Sequence, residues 1–257
     1  MPDVRIWACF VVSLIVLWLG ILLGVWVRSS RTEVVESESK VLTVLEGALL
    51  TLFGLLMGFT FSMAVSRYDM RKLLVVTEAN AIGTTWLRTA VLDEPTRTQE
   101  QNLLREYVQE RMLYHQEFSK RHELRETLEG IEKLQGQLWA VASNYAAEHR
   151  DPVTGLYLQT LNQMIDVEGE RVAADDNRIP MGAWGMLLFV GFVSTLVVGT
   201  KISPRRWVLQ SVLPIVLAMT LAMTMDLDSP RFGLIRIDQN PMARIAQGMA
   251  RPPQQMP

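Results

Sequence analysis

Apolar residues in this chain are gathered into runs, and the longest runs match the thickness of a bilayer. Ile6 to Val27 is continuously apolar between Arg5 and Arg28, with Trp7 and Trp26 near its ends, which predicts a transmembrane helix over about 6–27. The run exceeds a signal-peptide core and no small-residue cleavage pattern follows it, so the helix is expected to be retained. A second apolar run predicts a helix over about 41–65. Two more follow at about 181–198, between Pro180 and Lys201, and at about 207–225, just after Arg205 and Arg206. Pro214 in the last should kink it, and Gln210, Pro214, Ala218 and Ala222 share one face there.

Between these pairs, residues 66–180 alternate apolar and polar positions at helical period, with no strand-like alternation. Leu73–Leu92 is the ambiguous piece, long enough for a fifth crossing. Its eight strongly apolar residues offer roughly 4 kcal/mol of insertion, which Glu78, Asn80 and Arg88 oppose by about as much or more. It is therefore expected as a buried helix continuing from the second crossing. Asp93-Glu94-Pro95-Thr96 breaks that helix. The next helix carries Leu103, Leu104, Tyr107, Val108 and Met112 along one side. A near-heptad seam then runs through Leu124, Leu128, Ile131, Leu134 or Gln135, Leu138, Val141 and Tyr145. A further helix from about Leu156 to Ala174 presents Leu158, Leu161, Ile165 and Val172.

The expected fold class is all-α: an integral membrane protein whose four transmembrane helices form two hairpins bracketing a helical extramembrane domain. The segments are 1–65 (first hairpin), 66–180 (helical domain), 181–225 (second hairpin) and 226–257 (a polar tail with a disordered end). Eight basic residues lie near the membrane on the domain's side (Arg5, Arg67, Arg71, Lys72, Arg171, Arg178, Arg231, Arg236) and six on the other (Arg28, Arg31, Lys40, Lys201, Arg205, Arg206). That balance leans the domain toward the cytoplasm.

Composition changes this picture little. A formal net charge of -2, with no basic stripe, argues against a nucleic-acid partner, and the lipid bilayer is the partner the runs imply. Cys9 is the only cysteine, so no intramolecular disulfide forms. No phosphate loop, nucleophile elbow or zinc-spaced histidine pair occurs, and His115, His122 and His149 stand apart, so neither an enzyme nor a bound cofactor is expected.

Four candidate features remain. Gly47, Thr51, Gly54, Gly58 and Ser62 recur at helical spacing, and Gly54-x-x-x-Gly58 permits close backbone approach, either in ordinary helix packing or along a pore. Gly20 and Gly24 offer the first helix a similar point. Phe53, Met57 and Phe61 share another face and are candidates for a hydrophobic gate, with lipid or core contact as the plainer alternative. Glu46, an ionisable group in the second helix, is placed by the sequence either at the interface or in a pore. In the extramembrane half, Asn80, Thr84 and Arg88, with Glu78 nearby, form a polar seam that needs partners. Asp226 and Asp228 oppose the dipole of the fourth helix and call for a cation, either arginines or, as weak metal candidates, a divalent ion.

The runs G-L-L-M-G-F-T-F-S-M-A, R-Y-D-M-R-K-L-L-V-V-T-E-A-N-A-I-G-T-T-W-L-R and D-L-D-S-P-R-F-G-L-I-R-I-D-Q-N-P-M resemble the bestrophin-like family of bacterial membrane proteins. Glu78–Thr84 is the most specific segment. The resemblance implies a four-crossing protein and, through a distant relation to the bestrophins, which are pentameric anion channels, a homo-oligomer passing an inorganic anion across the bacterial inner membrane. The second helix would then line the pore, and the Glu78, Asn80 and Arg88 seam would couple domain to pore. A non-conducting scaffold or sensor whose helical domain binds a protein partner is the alternative, and it needs an exposed apolar face on the 97–149 helices.

Overall fold

The structure, a computed structural model, describes residues 3–30, 36–114, 121–201, 207–230 and 233–250. These form eight α-helices and no strand among the described residues: α1 (Asp3–Ser29), α2 (Glu36–Arg88), α3 (Thr96–Tyr114), α4 (Arg121–Glu148), α5 (Pro152–Asp176), α6 (Met181–Gly199), α7 (Trp207–Asp228) and α8 (Asn240–Ala250). Among the described residues four stretches are long and apolar enough to cross a membrane, within Ile6–Ser29, Lys40–Val91, Pro152–Gly199 and Gln210–Asp228. The chain divides into two compact units, Met1–Tyr68 with Arg178–Ile235, and Asp69–Asn177 with Arg236–Pro257.

In the first unit α1 packs on α6 and α7. Glycine decides how closely. A Cβ at Gly24 would overlap the Leu196 carbonyl and come within 2.9 Å of the Gly199 Cα, and one at Gly199 would overlap the Ile21 carbonyl. At Gly20 it would overlap the Thr195 hydroxyl. The tightest small-residue contact in this unit therefore joins α1 to α6, because backbones that approach this far tolerate no side chain between them. The unit's interior is filled by Leu17 of α1, Phe53 and Met57 of α2, Leu187 and Val190 of α6, and Leu217, Ala218 and Leu221 of α7. α7 runs unbroken through Pro214, and its predicted small face is buried at Gln210, Pro214, Ala218 and Ala222.

The second unit is built on the extramembrane half of α2. Val75, Ala79 and Ile82 pack with Leu104, Tyr107 and Val108 of α3, Ile131, Leu134 and Leu138 of α4, and Tyr157, Leu161 and Met164 of α5. The helix breaks fall where polar signals put them. At α5 the Asp151 carboxylate caps the helix, accepting from the Val153 and Thr154 N–H groups at 2.8 and 3.0 Å, while Pro152 opens the first turn. On α5 the buried line is Tyr157, Leu161 and Met164, with the expected Leu158, Ile165 and Val172 only partly buried beside it.

Two differences from the sequence reading concern the C-terminus. α7 extends to Asp228, and the tail contains a helix, α8, whose Met242 and Met249 join the second unit's core. The expected disordered end at 251–257 lies outside the described residues, as do Arg31, His115, Arg205, Arg206 and Arg231.

Candidate functional site

Along the membrane half of α2 three faces separate at helical spacing. Phe53, Met57, Thr60 and Ala64 are buried in the first unit. Leu52, Leu55, Phe59 and Met63 are large, apolar and exposed, as lipid contact requires. Gly47, Thr51, Gly54, Gly58 and Ser62 form the third face, exposed throughout. A Cβ at Gly47, Gly54 or Gly58 would meet nothing within 4 Å. Small and hydroxyl residues thus hold open one side of a helix whose other sides face core and lipid.

This arrangement divides the expected gate. Phe53 and Met57 are 3% and 5% exposed and belong to the protomer's own core, because their spacing puts them opposite Leu17, Val190 and Leu217. Phe61, 37% exposed, falls between the interior face and the small-residue stripe. Glu46 is tied to Lys201: the ammonium bonds its carboxylate and the Thr43 hydroxyl, and Arg28 donates to the Lys201 carbonyl at 2.7 Å. That is an ion pair at the end of α2, where long side chains meet the interface.

In the second unit the polar seam splits as well. Asn80 and Thr84 are exposed, and Arg88 donates to the Leu156 carbonyl of α5 at 2.7 Å. Glu78 points the other way, into the core, where two arginines hold it. Arg111 of α3 bonds both of its oxygens, and Arg171 of α5 bonds Oε2. Arg111 also donates to Glu168 at 3.0 Å, Gln135 of α4 donates to the same carboxylate at 3.3 Å, and Arg171 reaches Gln239 at 2.7 Å. Glu78 and Arg111 are fully buried, and two carboxylates balance two guanidinium groups. Burial alone raises the Glu78 pKa, but attraction and hydrogen bonds from Arg111 and Arg171 outweigh it and hold the group below its ordinary value. The neighbouring case is the reverse. Glu100 of α3 is buried with Oε1 unpartnered and Oε2 accepting from the Tyr157 hydroxyl at 2.8 Å, and burial pushes its pKa up to about 7.

Sequence reasoning singled out Glu78 but missed Arg111, Glu168 and Glu100. The available signal was positional. Glu100, Leu104, Tyr107 and Arg111 share one stripe of α3, as Leu161, Met164, Glu168 and Arg171 do on α5, so charged residues occupy places the helix otherwise gives to its core.

The carboxylates at the end of α7 serve as braces. Asp226 accepts from the Leu234 and Ile235 N–H groups, both at 3.0 Å, beneath Gly233, whose φ of 143° and contact with that carboxylate leave no room for a side chain. Asp228 accepts from Ile179 N–H at 3.2 Å, and Arg67 lies 3.5 Å away. Backbone donors and an arginine thus partner these carboxylates, and among the described residues no group of three or more His, Cys, Asp or Glu gathers.

Residues 9–242 match the family model of the Bestrophin-like domain. Among solved structures, a mutant of a bacterial bestrophin homologue from Klebsiella pneumoniae aligns with a TM-score of 0.68 at 12% identity, covering 93% of this chain and 97% of that one. A structure of the homologue phased by Zn-SAD aligns at 0.67 and 11% identity, covering 94% and 96%. At such identity the likeness is one of fold. No curated protein sequence matches the chain.

Proposed function

The chain belongs to the bestrophin-like family, and on that premise we propose that it assembles into a homo-oligomeric anion channel of the bacterial inner membrane with α2 lining the pore. The observation that carries this is the exposed stripe Gly47, Thr51, Gly54, Gly58 and Ser62, on a membrane helix whose remaining faces are accounted for by core and lipid. Copies set around an axis with these stripes inward would enclose a path walled by backbone and hydroxyl groups. Anions passing there would be met by hydroxyl groups and uncharged backbone rather than by fixed charge. Phe61, at the edge of the stripe, is the remaining candidate for a constriction. Glu46, paired with Lys201, sets the end of the membrane segment, and the helical unit lies in the cytoplasm.

Coupling of that unit to the pore falls to Glu78. It sits on the same continuous helix as the stripe, and the arginines of α3 and α5 fix it there. The scaffold alternative is less well supported, since Leu104, Tyr107 and Val108 of α3 and Ile131, Leu134 and Leu138 of α4 are turned into the second unit's own core. That leaves Met112, Leu113 and Trp139 as the exposed large apolar residues of these helices. Purified protein in liposomes under chloride and potassium gradients tests the reading. Anion-selective flux is expected, reduced at least tenfold by Gly58→Trp. Folded, oligomeric protein that passes no ion across a range of calcium and pH would replace the channel with the scaffold.

A further inference from the structure

A cavity of about 470 Å³ opens between the last turns of α2 and the helix α8 that sequence reasoning missed, lined by Asn80, Thr84, Trp86, Arg244, Ile245 and Met249. Its volume falls among those of small-molecule sites. Gly83 lets Ile245 of α8 pack closely on α2, and Gly248 leaves open space. A Cβ at Gly83 would press on the Ile245 side chain at 3.1 Å, and one at Gly248 would meet nothing within 4 Å.

The lining is chemically divided. One part offers an amide and a guanidinium, the other an indole, a branched aliphatic group and a thioether. Arg105 lies over the Trp86 ring at 4.8 Å, donates to the Met249 carbonyl at 3.3 Å and bonds Asn102 at 2.9 Å, so its hydrogen-bonding groups serve the fold. Arg244 differs: it is exposed, and among the described residues it has no ion-pair or hydrogen-bond partner. One uncommitted guanidinium beside apolar walls complements a single planar anionic head on an apolar body. A guanidinium fork meets a carboxylate bidentately, whereas a doubly charged phosphate would need a second free cation.

We infer that this cavity binds a small organic monocarboxylate, with its carboxylate at Arg244 and Asn80 and its apolar body against Trp86, Ile245 and Met249. The site requires only the second unit and stands whether or not the chain conducts. Fluorine NMR titration of full-length protein in detergent with 4-fluorobenzoate tests it. Saturable broadening is expected, with affinity reduced at least tenfold in Arg244→Ala and in Gly248→Leu, which adds a side chain to the cavity lining. Arg125→Ala, an exposed arginine on α4, should leave binding unchanged. The uncharged isostere 4-fluorobenzamide should bind at least tenfold more weakly. No saturable binding to the unaltered protein, Arg244→Ala within twofold of it, or equal binding of the amide would overturn the assignment.

Discussion

Glu78 and Glu100, both wholly buried in the second unit, show how neighbours decide what burial does to a carboxyl group. Two guanidinium groups keep Glu78 ionised; Glu100 has only a tyrosine hydroxyl and titrates near neutrality. The consequences for stability have opposite signs. A folded pKa raised from 4.5 to about 7 means that Glu100's full contribution is present below pH 4.5 and is lost as pH rises toward 7. The loss amounts to roughly 3 kcal/mol by the linkage of pKa to free energy. Glu100→Gln, which can still accept from Tyr157, should remove this dependence, so that its unfolding midpoint gains on that of the unaltered protein between pH 4.5 and pH 8. Parallel curves for the two proteins across that range would contradict it. Glu78, depressed below its ordinary value of 4.5, contributes above that pH and its share is lost on acidification. Glu78→Ala leaves two buried arginines short of a partner and should cost about 3–5 kcal/mol in denaturant unfolding of the second unit; a cost under 1 kcal/mol would show that the network is not needed for folding.

At the scale of elements, the helices were legible where period and composition agreed. The four apolar runs and the continuation of α2 beyond its apolar run follow from local rules, whereas α5 starts at Pro152 behind its Asp151 cap, about one turn before the expected Leu156. α8 escaped notice for its brevity and setting: Met242, Ile245, Ala246 and Met249 do recur at helical spacing, but over only 11 residues, in a stretch read as a polar tail. The candidate gate residues separate for a different reason, Phe53 and Met57 being buried and Phe61 exposed. Helical spacing groups Phe53, Met57 and Phe61, but only tertiary packing says which way the group points. Glycines make the same distinction testable. Gly24→Leu should disrupt the α1 and α6 contact and lower the thermal midpoint in detergent, at a cost of about 1–3 kcal/mol. Gly54→Ala, with open space at its Cβ, should stay within about 0.5 kcal/mol of the unaltered protein. Equal effects of the two would mean that the open face of α2 is packed within the protomer.

For the whole molecule, family membership and fold rest on the match over residues 9–242 and on likeness to bacterial bestrophin homologues, while conduction is a reading of one exposed stripe. The stripe could be recognised in the sequence by its spacing. Its openness could not, since that depends on where α1, α6 and α7 pack. Cysteine accessibility on α2, in a Cys9→Ala background, tests this central reading most directly. Single cysteines at Gly54 and Gly58 should let an anionic methanethiosulfonate block chloride flux in liposomes, while cysteines at Leu55 and Phe59, on the lipid-facing stripe, should not. Block at Leu55 and Phe59 with none at Gly54 and Gly58 would place the pore elsewhere and contradict the account.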